Sequence, residues 1–96
     1  MIFRQAFDST PVELTRDVLK FLDGLPPKPF KQVAASMLDL LRNPEPHDAR
    51  PLKGYSYRRV DVGEYRIVYD LPEDMVRVLL IGKRNDDAVY KDLRRK

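Results

Sequence analysis

Residues 55–82 carry the strongest constraint in the chain: apolar residues recur with period two, in short runs separated by turn residues. In EYRIVYD, residues 64–70, Tyr65, Ile67 and Tyr69 fall on one face of a strand, and Arg66 and Val68 on the other. That alternation fits a strand with one covered face and one open face. Strands are expected over 55–61, 64–70 and 75–82. Val62-Gly63 supplies the first turn, because glycine accepts positive φ, and Leu71-Pro72-Glu73-Asp74 supplies the second. The third run, MVRVLLIG, is almost wholly apolar and reads as a central strand ended by Gly82.

Ahead of this meander lie two helical patterns. Thr10 and Glu13 have capping-box spacing with Pro11 at the first helical position, and Leu14, Val18, Phe21, Leu22 and Leu25 then form one apolar stripe. Gly24 and Pro26-Pro27 end this helix. A second helix is expected from about Pro29 to Arg42, burying Phe30, Val33, Ala34, Met37, Leu38 and Leu41. The short link makes an antiparallel hairpin of helices. IFRQAF, residues 2–7, reads as a first strand, and AVYKDL near the end as a short last helix capped by Asn85, Asp86 or Asp87. The order β-α-α-β-β-β-α gives an α+β domain spanning 1–96, with the helical hairpin on one face of a small, largely antiparallel sheet.

Composition removes several classes of chemistry. There is no cysteine, which excludes disulfides and thiolate zinc sites, and the single His47, in the Pro-rich loop 43–54, excludes a histidine-rich metal site. No clustered carboxylates support a glycosidase, and no metal or cofactor is expected. No apolar stretch approaches the ~20 residues of a membrane span, and MIFRQAFDST has no signal-peptide pattern, so the expected location is the cytoplasm. Charge is unevenly placed. Residues 1–52 hold seven Lys/Arg and seven Asp/Glu, whereas 53–96 hold eleven and eight, so the whole net charge of +3 lies in the C-terminal half.

The face opposite Tyr65, Ile67 and Tyr69 is where those cations are expected. A two-residue Val62-Gly63 turn places Asp61 opposite Glu64 and Arg59 opposite Arg66, whereas a three-residue loop with Gly63 in a bulge places Arg58 opposite Arg66. Val76, Val78 and Leu80 then share the covered face, and Arg77 and Lys83 join the exposed one. Like charges directly opposite destabilise a sheet by up to ~1 kcal/mol, so such a face makes sense if an anion is held there. Phosphate is the natural anion for arginines, and a nearby tyrosine can stack on a base.

The segments LKGYSYRRVDVGEYRIVYD and VRVLLIGKRNDDAVYKDL resemble the RelE/ParE superfamily of type II toxin–antitoxin toxins, and the RelE branch most. The specific matches are YRIVY and GKRNDDAVY. The resemblance implies a ribosome-dependent endoribonuclease that cuts mRNA in the A site and is held inactive by a cognate antitoxin. It implies catalytic roles for Arg59, Arg66, Arg84 and Tyr90; the neighbouring Arg58, Arg77, Lys83 and Tyr57 are expected to contact RNA or ribosome. Tyr57 and Asp61 depart from the family, standing where basic residues are usual. The toxin itself is not expected to read DNA sequence. Two other functions remain open on the residues: a gyrase poison of the ParE kind, and an inactive scaffold that only binds antitoxin.

Overall fold

A computed structural model describes residues 12–52, 54–73 and 75–84. The strand expected at 2–7 and the last helix expected in AVYKDL lie outside them. In chain order the elements are β1 (Val12–Leu14), α1 (Arg16–Asp23), α2 (Pro27–Arg42), β2 (Arg50–Pro51), β3 (Arg58–Val62), β4 (Tyr65–Asp70) and β5 (Val76–Lys83). They build one five-stranded sheet in the order β1-β5-β4-β3-β2. All neighbours pair antiparallel except β1, which runs parallel to β5. The α+β architecture is the one expected, with the apolar run of β5 inside the sheet.

The start of α1 corrects the sequence reading. Val12–Leu14 is strand, paired with Val76–Val78, and the N-cap is Thr15 rather than Thr10. The Thr15 hydroxyl accepts from the Val18 N–H at 3.3 Å and donates to the Leu79 carbonyl at 3.0 Å. The second of these bonds is long-range, so no local pattern announces it. Leu14 therefore belongs to the sheet, while Val18 and Leu22 keep their buried places with Phe21 and Leu25 packed beside them. Helix α2 starts at Pro27, with prolines in its first turn where the missing N–H is not needed. It buries Val33 and Leu40; the expected core residues Phe30 and Leu38 are instead 42% and 55% exposed.

The hairpin turn is the second correction. Gly63 and Glu64, not Val62 and Gly63, connect β3 to β4, so Val62 pairs with Tyr65 and Asp61 with Arg66. Gly63 takes φ 58° as the first residue of the turn, in the left-handed region that costs other L-residues about 1–2 kcal/mol. Moving the turn one residue along exchanges an Arg–Arg pair for an Asp–Arg pair. Nothing in the alternation of β4 distinguishes the two registers, because the face of β4 is the same in both.

A bulge in β5 is the third. Val68 pairs with Leu80 and Tyr69 with Val78, leaving Leu79 as the extra residue. Val76, Val78 and Ile81 face the helices together with Val60, Ile67 and Tyr69. Leu80, expected there, turns to the other face and packs with Val68, Leu79 and Leu52 in a second small core lined by Tyr55 and Tyr57. Leu52 and Tyr57 close over this patch, with the Leu52 N–H donating to the Tyr57 carbonyl at 2.9 Å. Among the described residues, the second face is thus closed in its middle and open toward the β3–β4 turn.

Candidate functional site

At that open end, three arginines from separate segments meet one carboxylate. Asp61 and Arg66 are directly opposed on β3 and β4, so their side chains rise on the same face. Arg66 Nε donates to Asp61 Oδ1 at 2.8 Å, and its Nη2 reaches Oδ2 at 3.4 Å. Arg59, two residues before Asp61 on the same face, places Nη1 3.6 Å from Oδ2. Arg84 follows β5 and is drawn back over the turn by its N–H, which donates to the Glu64 carbonyl at 2.9 Å; its Nη1 lies 3.8 Å from Asp61 Oδ2. Arg66 is the deepest of the three, with 14% of its side chain exposed, against 28% for Arg59 and 48% for Arg84.

The electrostatics follow from this geometry. The hydrogen bond from Arg66 holds the Asp61 carboxyl below its ordinary range; partial burial opposes that, and the charges of Arg66, Arg59 and Arg84 reinforce it. Asp61 is therefore anionic at neutral pH and a poor proton acceptor. Among the described residues, three cations around one anion give the cluster two more positive than negative charges, partly exposed to solvent. Such an arrangement can hold a phosphate through charge-assisted hydrogen bonds. It offers no proton acceptor with an affinity near neutrality.

The remaining candidates are placed elsewhere. Arg58 lies opposite Tyr69, on the helix-facing side, and donates to Glu45 at 2.7 Å. Lys83 lies opposite Tyr65, also on the helix side rather than on the exposed face expected for it. Arg77 is on the cluster's face but opposite Asp70, four residues along β4 from Arg66, or about 13 Å at strand spacing. It is held by Asp70 at 2.7 Å, with Glu13 at 4.0 Å. Tyr57 stacks on Tyr55, with ring centroids 5.6 Å apart, beside the second core. Tyr90 lies outside the described residues.

Two residues escaped the sequence reading. Asp61 is expected opposite Glu64 and as a departure from the family, whereas the observed turn pairs it with Arg66 and makes it the centre of the cluster. Arg50 pairs opposite Arg59, the like-charged neighbour that was expected of Arg66. Its guanidinium turns back to the His47 and Ala49 carbonyls at 2.9 and 3.1 Å, which keeps it out of the cluster. Among the described residues no group of His, Cys, Asp and Glu could hold a metal, and no helix is long and apolar enough to cross a membrane.

Comparison with known proteins adds the family context. A sequence model of the ParE toxin of type II toxin–antitoxin systems matches residues 12–88. No curated protein is a significant match. Among solved structures, the chain is similar to RelE in the archaeal RelE–RelB complex from Pyrococcus horikoshii, at 23% identity and TM-score 0.67, over 79% of this chain and 96% of that one. The RelBE2 toxin–antitoxin complex from Mycobacterium tuberculosis matches at 25% identity and TM-score 0.67, over 78% and 98%. The isolated E. coli RelE toxin matches at 20% identity and TM-score 0.69, over 91% and 97%.

Proposed function

We propose, from the premise that the chain belongs to the ParE toxin family of type II toxin–antitoxin systems, that this toxin acts as a ribosome-dependent endoribonuclease on mRNA. The observation that carries the reading is the convergence of Arg59, Arg66 and Arg84 within 4 Å of one point on the sheet face opposite α1 and α2. A gyrase poison that acts by binding has no evident need for three guanidinium groups focused on one anion position. RNA cleavage does, because charge builds on one phosphate during the reaction.

The chemistry requires little else from the protein. RNA carries its own nucleophile: the 2′-oxygen bonds to the adjacent phosphorus, the bond to the 5′-oxygen breaks, and a 2′,3′-cyclic phosphate and a 5′-hydroxyl result. The 2′-OH loses its proton to solvent or to a nearby acceptor, and the 5′-oxygen gains one. Arg66 and Arg59 suit the non-bridging oxygens, and the more exposed Arg84 suits the phosphate or the leaving 5′-oxygen. Tyr90 is assigned either a stacking role or proton transfer. With Asp61 held ionised by arginines, no group of the cluster among the described residues is tuned for fast general-base chemistry, which fits a site that relies on the ribosome to position its substrate. The chain acts as one domain over residues 1–96, where ribosomes are, with a cognate antitoxin as its partner, as in the RelB complexes of the similar toxins.

The family match itself favours a second reading, gyrase poisoning, because the matching description is that of ParE. One pair of assays separates the two. In a purified translation reaction, sequencing of the message ends should reveal toxin-dependent cuts on ribosome-bound mRNA, while gyrase supercoiling stays unaffected. Intact message together with inhibited gyrase would establish the other reading.

A further inference from the structure

We infer that Asp61 fills, in the free protein, the anion position that the arginine cluster would offer to a backbone phosphate, and that it thereby limits how strongly RNA binds. This rests on the reading of Arg59, Arg66 and Arg84 as a phosphate site. The Asp61 carboxylate has the planar, two-oxygen form that matches a guanidinium fork, as a phosphate edge does. Its Oδ2 lies between 3.4 and 3.8 Å from all three guanidinium groups, and its Oδ1 takes the Arg66 Nε–H at 2.8 Å. Arg66 alone makes hydrogen bonds to the carboxylate. Arg59 and Arg84 stand at ion-pair distance, and they are the more exposed pair. An incoming phosphate meets these two first, then competes with Asp61 for the Arg66 fork.

That competition has a defined sign. A bound phosphate sits within a few ångströms of a carboxylate that the arginines keep ionised, and two anions so close repel. The cluster therefore discriminates against loosely presented RNA. It favours a strand held in place by another surface, whose high effective concentration offsets the repulsion. The same carboxylate holds three mutually repelling arginines together while the site is empty.

The test uses the free toxin and a short 2′-O-methyl oligoribonucleotide, which lacks the nucleophile and cannot be cut by this chemistry. Asp61→Asn keeps the shape and removes the charge. It should bind about tenfold more tightly than wild type, about 1.4 kcal/mol, with the slope of log K against log salt steeper by about 0.7. Asp70→Asn is the control: it makes the same charge change on the same face, at the pair with Arg77, and should shift affinity less than twofold. Equal or weaker binding by Asp61→Asn, an equal gain by Asp70→Asn, or no binding by either would overturn the inference. Should Asp61→Asn not fold, the wild type carries the test by NMR. Adding the oligonucleotide should move the Arg66 Nε–H resonance, whose acceptor is Asp61, together with those of Arg59 and Arg84. A stationary Arg66 signal while the other two move would show that Asp61 is not displaced. These readouts concern affinity, so failure of cleavage on ribosomes counts against the nuclease reading and not against this one.

Discussion

Arg66 is the least exposed member of its cluster and the only one hydrogen-bonded to Asp61, so under the proposed function it would bear on both folding and cleavage. Arg66→Ala should abolish mRNA cleavage and also lower stability by about 1–2 kcal/mol, since it removes a partly buried, charge-assisted hydrogen bond while Arg59 and Arg84 still neutralise Asp61. Denaturant unfolding beside a translation assay reads both effects; unchanged cleavage would remove Arg66 from the site. Asp61 gives a pH prediction. Its folded-state pKa lies below the unfolded value, so its contribution is present above about pH 4 and is lost as pH falls through the folded pKa. The stability gap between wild type and Asp61→Asn should therefore be constant near neutrality and close below about pH 4 in acid titrations of unfolding. A gap independent of pH would mean that the ionised form contributes nothing. Tyr90, placed by resemblance alone, separates by substitution: stacking predicts that Tyr90→Phe keeps most activity, and proton transfer predicts that it is nearly as poor as Tyr90→Ala.

At the scale of elements, the β3–β4 hairpin decides the site, and its turn was the hardest feature to place from sequence. Gly63 marked the turn correctly, because positive φ is needed there. It could not say whether it was the first or the second turn residue, and that one-residue difference decides whether Arg66 faces Arg59 or Asp61. The start of α1 was misread for a related reason. The N-cap is Thr15, and what places it there is non-local: Val12–Leu14 pairs with β5, and the Thr15 hydroxyl donates to the Leu79 carbonyl, 64 residues away. The periodic patterns place Val18, Leu22, Val33, Ile67 and Tyr69 in the main core, as observed, whereas Phe30 and Leu38, also on the α2 stripe, are exposed. Gly63→Ala has space for its Cβ, with Gln32 Oε1 the nearest atom at 3.8 Å, so its cost should be conformational, about 1–2 kcal/mol by denaturant unfolding. A neutral effect would mean that the turn relaxes to another geometry.

For the molecule as a whole, the sheet puts its two faces to different uses. One carries the helices and main core, while the other is split between the small core of Leu52, Val68, Leu79 and Leu80 and the arginine cluster at the turn end. Tyr69 ties these layers together. It is fully buried in the helix-side core, and its hydroxyl donates to the Pro44 carbonyl at 2.8 Å, pinning the loop that leads to the second core. The strand alternation and the helical stripes were enough to anticipate this two-layer form, because each reports burial of one side of one element. The second core was invisible to the same reading, since it depends on the bulge at Leu79 and on a loop folding over Val68. In the proposed reaction the arginines of that face stabilise charge and the RNA provides the nucleophile. Its most direct test is a message whose single nucleotide 5′ of the mapped cut carries a 2′-deoxy sugar, programmed into ribosomes with the toxin. Cutting at that bond should stop, while cuts at unmodified sites on the same message persist. Continued scission there, leaving a linear phosphate, would show that an activated water attacks instead and would contradict the mechanism assigned to Arg59, Arg66 and Arg84.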